Sequence, residues 1–419
     1  MDVLVQRCAA IDVAKKELAV TVRVPAAGSG RVKRIRKMFG TTSRQLLALL
    51  DFLLEHQVSL IGMESTGDYW KPVYYVLEGS FDHDQIWLLN PRHMKAVPGR
   101  KTDMSDADWI CDLLAYGLVR PSFVPPAPIR RLRDLTRRRT LLLRDATREK
   151  QRLEKTLEDA GIKLGTVASD ILGASGRAMI EALIAGQRDG HVLAEMALGA
   201  MRKKRPALAE ALVGRFDEHH AFICRQILTH LDMIDYQVAD LDLRIIAELA
   251  PYADKITLLD TIPGVDTRAA EVILAEIGPD MRQFPTAGHL ASWAGLCPGN
   301  NRSGGRSKSS RTRHGDRWLR GILGNAARSL SRTNNTYLAA QFRRIAAKRG
   351  GKRAIVAVSH SILASAWHML DQNVAYHDLG PDYFLHRQDP EKRCRRLVGT
   401  LEAMGFQVTL TPTDQPNPA

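Results

Sequence analysis

The stretch Cys8-Ala9-Ala10-Ile11-Asp12-Val13 places one acidic residue inside an apolar run that is typical of a buried β-strand. An ionised carboxylate in such a strand costs several kcal/mol of stability unless it is paired or binds a metal ion. We therefore predict that Asp12 has a functional role at the centre of a sheet.

The residues around this run predict a sheet with the element order of a ribonuclease H domain. A hairpin around Lys15-Lys16-Glu17 leads to a second strand, and a third strand follows it. A helix, a strand, a second helix and a last strand complete the pattern. The predicted elements cover residues 8–13, 18–22, 32–39, 43–54, 59–63, 69–77 and 85–89. The N-terminal part is therefore predicted to be an α/β domain with the ribonuclease H or RuvC-like fold.

Three more carboxylates fall where this fold brings the ends of strands and helices together. Glu64 ends the predicted strand at 59–63, and Asp103 and Asp106 lie three residues apart on one face of a predicted helix. Such oxygen ligands suit Mg²⁺, with Mn²⁺ as a substitute, and two ions about 4 Å apart would carry out phosphoryl transfer. The same helix has two acids that could replace one of this pair, Asp108 and Asp112.

The length and charge of the chain indicate several domains and a polyanionic partner. A chain of 419 residues exceeds the usual size of one domain, and 45% hydrophobic and 25% charged residues are typical of a folded globular protein. The net charge of +14 favours nucleic acid, because cationic side chains release the counterions that are condensed on phosphates.

The sequence shows no pattern of secretion, disulfide bonding or membrane insertion. Its five cysteines are widely spaced, odd in number and form no C-x-x-C pair, so we expect reduced thiols. The N-terminus has no signal-peptide pattern, and no stretch of membrane-spanning length is free of charges. We expect a cytoplasmic protein with no membrane partner.

The region after the Pro-rich segment 121–128 is predicted to be helical. Residues 129–159 form a pattern of Arg, Lys, Glu and Leu without Gly or Pro, and further helical patterns extend to about residue 250. They predict an antiparallel helical arm or coiled-coil hairpin for dimerisation or nucleic-acid contact, or else a solvated surface helix. Next, Ile262-Pro263-Gly264-Val265 before a helix at 269–277 is typical of a phosphate-binding helix-hairpin-helix, and equally of an ordinary turn.

The excess positive charge is concentrated between Gly299 and Arg353. This window holds fifteen Arg and Lys residues against one acid, Asp316, so its charge equals that of the whole chain. The cations predicted to contact phosphate are Arg302, Arg306, Lys308, Arg311, Arg313, Arg317 and Arg320. Ser303 precedes two glycines, and it is either a nucleophile or part of a flexible basic loop that only hydrogen-bonds phosphate. On residue chemistry alone, the same hydroxyl is offered by Ser307, Ser309 and Ser310.

Four motifs resemble the DEDD insertion-sequence transposases of the IS110 type, to which the Piv invertase is related. They are Ile11-Asp12-Val13, Met63-Glu64-Ser65-Thr66-Gly67, Lys101-Thr102-Asp103-Met104-Ser105-Asp106-Ala107, and Ser303-Gly304-Gly305 ahead of Arg313-His314-Gly315-Asp316-Arg317-Trp318-Leu319-Arg320. The resemblance implies a RuvC-like DEDD catalytic domain at 1–125, a coiled-coil connector at 126–255, a mainly helical, serine-bearing transposase domain at 256–375 and a tail at 376–419.

The resemblance also implies roles for individual residues. Asp12, Glu64, Asp103 and Asp106 would be the metal ligands, and Ser303 would be the nucleophile that forms a phosphoserine link to DNA. The implied protein is a transposase or site-specific recombinase that acts on donor and target DNA and is guided by a noncoding bridge RNA. It would work as a homodimer that pairs into a synaptic tetramer.

Two other functions fit the residues. A RuvC-like, structure-specific nuclease that activates water would need the carboxylates but not Ser303. A non-enzymatic, basic nucleic-acid-binding protein would need neither. The tail after residue 375 suggests no chemistry of its own.

Overall fold

The structure is a computed structural model. It describes residues 3–26, 32–64, 67–91, 94, 106–299, 301–303, 306–309, 311–387 and 389–410, with the backbone alone at 301–303, 306–309, 385, 390 and 393. The chain divides into two compact units, Met1–Val124 and Pro125–Ala419. The domain boundaries expected at residues 125, 255 and 375 stay predictions.

The first unit is built on five strands, which are β1 (Cys8–Val13), β2 (Glu17–Pro25), β3 (Val32–Gly40), β4 (Leu60–Glu64) and β5 (Ile86–Leu89). They form one sheet in the order β3-β2-β1-β4-β5. Strand β2 is antiparallel to both β1 and β3, and β4 is parallel to both β1 and β5. The unit also contains helices α1 (Ser43–Glu55), α2 (Trp70–Leu77) and α3 (Asp106–Ala115). The predicted mixed α/β class is confirmed, and the topology is consistent with a ribonuclease-H-like domain.

Two apolar cores cover the two faces of this sheet, because successive residues of a strand point to opposite sides. Ile11 of β1 belongs to the core that includes Leu49 of α1. Ala10 belongs to the core that includes Ile110 of α3, on the opposite face. By the same alternation, Asp12 lies on the face that α3 covers.

Gly62 allows α3 to lie close to the sheet. A Cβ atom added at this position of β4 would come within 2.6 Å of the Leu114 side chain. Glu64 lies two residues further along the same strand and therefore points to the same face. The absence of a side chain at Gly62 thus brings α3 over the strand that carries this carboxylate.

The second unit is mainly helical. Its helices are α4 (Ala127–Asp159), α5 (Leu164–Val167), α6 (Ala174–Ile184), α7 (Gly190–Glu195), α8 (Arg205–Ala211), α9 (Glu218–Leu249), α10 (Ala253–Asp260), α11 (Thr267–Ile277), α12 (Ala287–Trp293), α13 (Arg317–Ser329), α14 (Tyr337–Arg349), α15 (Gly351–Gln372), α16 (Tyr383–His386) and α17 (Pro390–Ala403). Two short strands, β6 (Asn301–Ser303) and β7 (Arg306–Ser309), form an antiparallel hairpin. Within the described ranges, no helix is long and apolar enough to cross a bilayer.

The two long helices, α4 and α9, lie antiparallel. Arg139 of α4 pairs with Asp242 of α9 at 2.7 Å, and Glu149 of α4 contacts His230 of α9 at 3.3 Å. Residue numbers therefore rise along one helix as they fall along the other. Their facing apolar residues share a core with the short helices between them. This arrangement agrees with the predicted antiparallel arm, whereas a coiled-coil supertwist stays a prediction.

The turn between α10 and α11 approaches α13 closely. Gly264 has a φ of +85°, and a Cβ atom there would lie 2.7 Å from the carbonyl oxygen of Ala326. Asp266 caps α11 by accepting a hydrogen bond from the amide of Ala269 at 2.8 Å. One of the amides expected to bind phosphate is thus occupied by the protein itself, and phosphate binding by this turn stays a prediction.

Arginines of α4 hold a buried carboxylate near the end of α11. Glu276 is fully buried, and Arg137 donates to each of its carboxylate oxygens at 2.7 Å. Arg133 contacts the same carboxylate at 3.0 Å, and Arg137 also reaches Asp316 at 3.2 Å. These arginines of the predicted basic arm are therefore engaged inside the second unit and are not displayed to a polyanion.

The cysteines are all free, as expected. Cys8, Cys111 and Cys224 are buried, and Cys297 and Cys394 are partly buried. The segment after residue 375 is anchored to the second unit in its first residues, because the amide of Tyr376 donates to Thr261 Oγ1 at 3.2 Å.

The buried carboxylate predicts a pH dependence of stability. Burial raises the pKa of Glu276 from a usual value of 4.5 to about 7, because the cost of burying its charge outweighs the attraction of the two guanidinium groups. The folded protein thus binds this proton more tightly than the unfolded protein does. The resulting stabilisation is complete at pH values below the pKa of Glu276 in the unfolded protein, and it is lost as the pH rises through the pKa in the folded protein. Between pH 5 and 8, we expect the wild type to lose about 2 kcal/mol relative to Glu276→Gln.

Urea unfolding of both proteins at the two pH values measures this difference. Glu402→Gln changes an exposed acid of α17 and is the matched control, which should follow the wild type. Identical pH trends for the wild type and Glu276→Gln would contradict the assignment.

Candidate active site

Two of the predicted ligands lie at the ends of neighbouring strands. Strands β1 and β4 are parallel with Ile11 opposite Met63, so Asp12 and Glu64 occupy the next position of each strand. Both residues are partly buried. Because side chains alternate along a strand, the two carboxylates project from the same face, the one that α3 covers.

The third predicted ligand, Asp106, is the first residue of α3. Burial raises the pKa of Asp12, and the negative charge of Asp106 raises it further by a smaller amount. The helix therefore brings Asp106 close enough to Asp12 for the two charges to repel each other. Asp103, the fourth predicted ligand, lies outside the described residues.

The Asp12 and Asp106 pair suits a divalent cation. Asp12 is partly buried and Asp106 is exposed at the start of α3, and a bound cation would offset the negative charge that the two carboxylates place on this face. Carboxylate oxygens are also the ligands that Mg²⁺ and Mn²⁺ prefer. In the part of the chain that the structure describes, no group of three His, Cys, Asp or Glu side chains is arranged to hold a metal ion. Asp12, Glu64 and Asp106 are thus an incomplete ligand set on their own.

The other two acids of α3 make ion pairs with β3. Asp108 is buried, and it accepts hydrogen bonds from Thr21 Oγ1 at 2.9 Å and from Arg36 Nη2 at 2.6 Å. Asp112 pairs with Arg34 at 2.7 Å. Both side chains are directed at the β2 and β3 side of the sheet. Neither is therefore placed to replace a predicted ligand on this helix.

These ion pairs were not predicted, although the sequence spacing contains a signal for them. Arg34 and Arg36 are two residues apart in β3, so they share one face of the strand. Asp108 and Asp112 are four residues apart, so they share one face of the helix. Two matched faces of opposite charge are compatible with direct packing, but the spacing does not reveal that the two elements are neighbours.

The backbone around Ser303 forms a β-hairpin and not an irregular loop. Ser303 ends β6 and pairs with Arg306 at the start of β7. The side chains of four predicted residues here lie outside the described part of the chain, and they are Arg302, Ser303, Arg306 and Lys308. The same holds for the neighbouring hydroxyls of Ser307, Ser309 and Ser310. The assignment of the nucleophile therefore stays a prediction.

The residues that follow the hairpin are held by a close backbone contact and a helix cap. A Cβ atom at Gly315 would lie 2.3 Å from the carbonyl oxygen of Ala294. Asp316 begins α13 by accepting hydrogen bonds from the amides of Trp318 and Leu319, each at 2.8 Å. The Gly315-Asp316 part of the sequence motif thus has a structural explanation.

The remaining predicted phosphate-binding arginines differ in their surroundings. Arg311, Arg313 and Arg317 are exposed, and the Arg317 guanidinium lies 4.7 Å from the centre of the Trp318 ring. Arg320 is partly buried and donates to Thr312 Oγ1 at 3.2 Å. The first three present positive charge to solvent, whereas Arg320 supports the segment between the hairpin and α13.

Two regions of the chain match models of known protein families. Residues 9–162 match the model of the DEDD transposases of the IS110 group, a family that is described as Transposase. Residues 256–343 match the family described as Transposase IS116/IS110/IS902 family. The two matches include Asp12, Glu64, Asp103, Asp106 and Ser303.

Individual relatives agree with these matches. The chain is 25% identical over 333 residues to a Pseudomonas aeruginosa protein named as a family 20 transposase. The matched stretch covers 78% of this chain and 88% of the relative. The chain is 26% identical over 339 residues to a Sinorhizobium fredii protein named as transposase y4pF/y4sB, covering 78% of this chain and 77% of the relative. A stretch of 47 residues is 51% identical to an insertion element IS110 protein of Streptomyces coelicolor, covering 11% of each chain. The chain therefore belongs to the IS110-type family of DEDD insertion-sequence transposases.

Proposed function

We propose that this transposase cuts and rejoins DNA strands with an acidic, Mg²⁺-binding quartet and a serine nucleophile. The quartet is Asp12, Glu64, Asp103 and Asp106, and the nucleophile is Ser303. The observation that carries the proposal is the placement of Asp12 and Glu64 at the neighbouring ends of the parallel strands β1 and β4, on the face covered by the helix that Asp106 begins. Carboxylates on one face of a sheet suit a divalent cation.

The chemistry follows from the residue types. When bound, Mg²⁺ would act as a Lewis acid on a phosphate of the DNA. The Ser303 oxygen attacks phosphorus, so an Oγ–P bond forms while a P–O bond of the DNA breaks. The serine gives its proton to solvent, and the leaving oxygen takes one from solvent and becomes a free hydroxyl end. A hydroxyl of another strand then attacks the phosphoserine and releases the serine. The energy of the phosphodiester bond is thereby kept for strand exchange, whereas hydrolysis would lose it.

The charge of the chain supports contact with nucleic acid through the exposed arginines at Arg311, Arg313 and Arg317. We assign Arg302, Arg306, Lys308 and Arg320 to the same surface from their positions in the sequence. The partners that we propose are donor and target DNA and an element-encoded bridge RNA. Base pairing by that RNA would select the sequence, so the protein would need only to hold phosphates and shape.

A homodimer is supported by a stripe of apolar side chains along α9. Phe222, Tyr236 and Leu243 are spaced by seven or fourteen residues, and Met233 and Ile246 lie close to the same line. Each is more than half exposed. The stripe lies opposite the residues with which α9 packs on α4, so a second copy could pack there as it would in a coiled coil. We propose that this stripe forms the dimer contact of the helical connector.

The second candidate function is a RuvC-like nuclease that uses water. It shares the acidic residues, and it differs because no covalent intermediate forms and Ser303 is dispensable.

A covalent protein–DNA adduct is the decisive product. We expect the wild type, with Mg²⁺, its copurifying RNA and DNA that spans an end of the surrounding element, to form an adduct that survives denaturing electrophoresis. Ser303→Ala removes the attacking oxygen and Asp12→Ala removes a ligand, so each should abolish the adduct. Ser307→Ala is the matched control in the same hairpin and should retain it. Undiminished cleavage by Ser303→Ala would instead establish the nuclease.

The RNA partner predicts copurification. Sequencing of RNA from the purified protein should return a structured transcript encoded beside its gene, and washing with high salt should release it, because phosphate contacts weaken with salt. Recovery of bulk cellular RNA alone, with no enrichment of such a transcript, would count against guidance.

The stripe on α9 predicts the oligomeric state. Tyr236→Glu combined with Leu243→Glu should convert the dimer to a monomer, because the dimer contact would have to bury two unpaired charges. Light scattering after size-exclusion chromatography measures the change in mass. Val192→Glu places a charge at an exposed apolar residue outside the stripe and should leave the dimer intact. A double variant that remains dimeric would place the contact elsewhere.

A further inference from the structure

The ion pairs between α3 and β3 fix the helix in one orientation. Asp108 accepts from Thr21 Oγ1 at 2.9 Å and from Arg36 Nε and Nη2 at 3.0 Å and 2.6 Å. Asp112 receives Arg34 at 2.7 Å. Apolar packing alone is not directional and permits a helix to slide or rotate on a sheet. Hydrogen-bonded ion pairs have specific geometry, and these two define both the height and the rotation of α3.

The orientation determines where Asp106 points. Successive residues of an α-helix are about 100° apart, so Asp106 and Asp108 project in nearly opposite directions. Since Asp108 is directed at β2 and β3, Asp106 projects toward the other side of the helix. Asp12 lies on the face of the sheet that α3 covers, and Asp106 is the first residue of that helix, so the orientation of α3 sets where Asp106 lies relative to Asp12.

We propose that Asp108, through Arg36 and Thr21, is a positioning residue for the metal site and holds Asp106 within reach of Asp12. The inference rests on the proposed function of Asp12 and Asp106 as metal ligands. Without the Asp108 ion pair, α3 would be free to rotate or slide on the sheet and carry Asp106 away from β1. The carboxylates are thus held ready for the ion before it arrives, which lowers the cost of binding it.

The test compares metal affinity with stability. Mn²⁺ binding to the full-length protein is measured by calorimetry and by the electron paramagnetic resonance signal of free Mn²⁺. We expect Asp108→Asn and Arg36→Met to weaken Mn²⁺ binding about tenfold, the size of effect seen for groups that orient metal ligands. The Arg36 side chain is 63% exposed, but its loss leaves the buried Asp108 carboxylate without its cation, so Arg36→Met should also lower the urea unfolding midpoint. Mn²⁺ binding is therefore measured in buffer without urea, where circular dichroism shows that each variant is folded. Asp51→Asn on α1, which packs on the other face of the sheet, is the matched control and should bind as the wild type does.

The outcomes separate this inference from the proposed function. If Asp12→Asn abolishes Mn²⁺ binding while Asp108→Asn and Arg36→Met bind normally, the metal site stands and the positioning role is wrong. If Arg36→Met loses affinity only in proportion to a lower unfolding midpoint, the ion pair is merely structural and the inference is overturned. If the wild type binds no Mn²⁺, the metal site itself fails. Weaker Mn²⁺ binding by variants that are still folded, beyond what their loss of stability accounts for, supports the inference.

Discussion

The burial of an acidic residue, Asp12, in the central strand of the sheet is the constraint on which the first unit depends. Burial makes the charge of Asp12 costly, and the charge of Asp106 adds to that cost, so other interactions must stabilise the sheet and α3 around it. The close approach at Gly62 and the apolar contacts of α3 supply attraction without direction. The Asp108 and Asp112 ion pairs supply the direction. The destabilising burial of Asp12 is therefore offset by stabilising contacts around it, a pattern common at functional sites.

Much of this unit could be predicted from the sequence. The order of strands and helices follows from local periodicity, and Asp12 stands out because a charge interrupts an apolar strand. Parallel pairing then places Glu64 beside it, because the two strands end at the same edge. Such features depend on residues that are close in sequence or on rules of topology, and both are visible without coordinates.

The interactions that orient the site could not be predicted in this way. Arg36 and Asp108 are 72 residues apart, and Arg137 and Glu276 are 139 apart. Each member looks like an ordinary surface charge until its partner is known. Pairing of distant charges depends on which elements become neighbours, and local periodicity does not show that α3 and β3 are neighbours. The hairpin at Ser303 was missed for another reason, because a run of Ser, Gly and Arg carries little strand propensity.

The same residue type has two different roles in the second unit, and burial decides between them. Arg133 and Arg137 of α4 lie against Glu276, and their charges are neutralised within the protein. Arg311, Arg313 and Arg317 are exposed in the segment that follows β7. A buried guanidinium is stabilised by a carboxylate nearby, since leaving it unpaired would cost several kcal/mol. Arg137 also pairs with Asp316, the one acid of the window between Gly299 and Arg353. A basic composition thus overstates the surface available to nucleic acid, because some of its arginines are held by acids inside the protein.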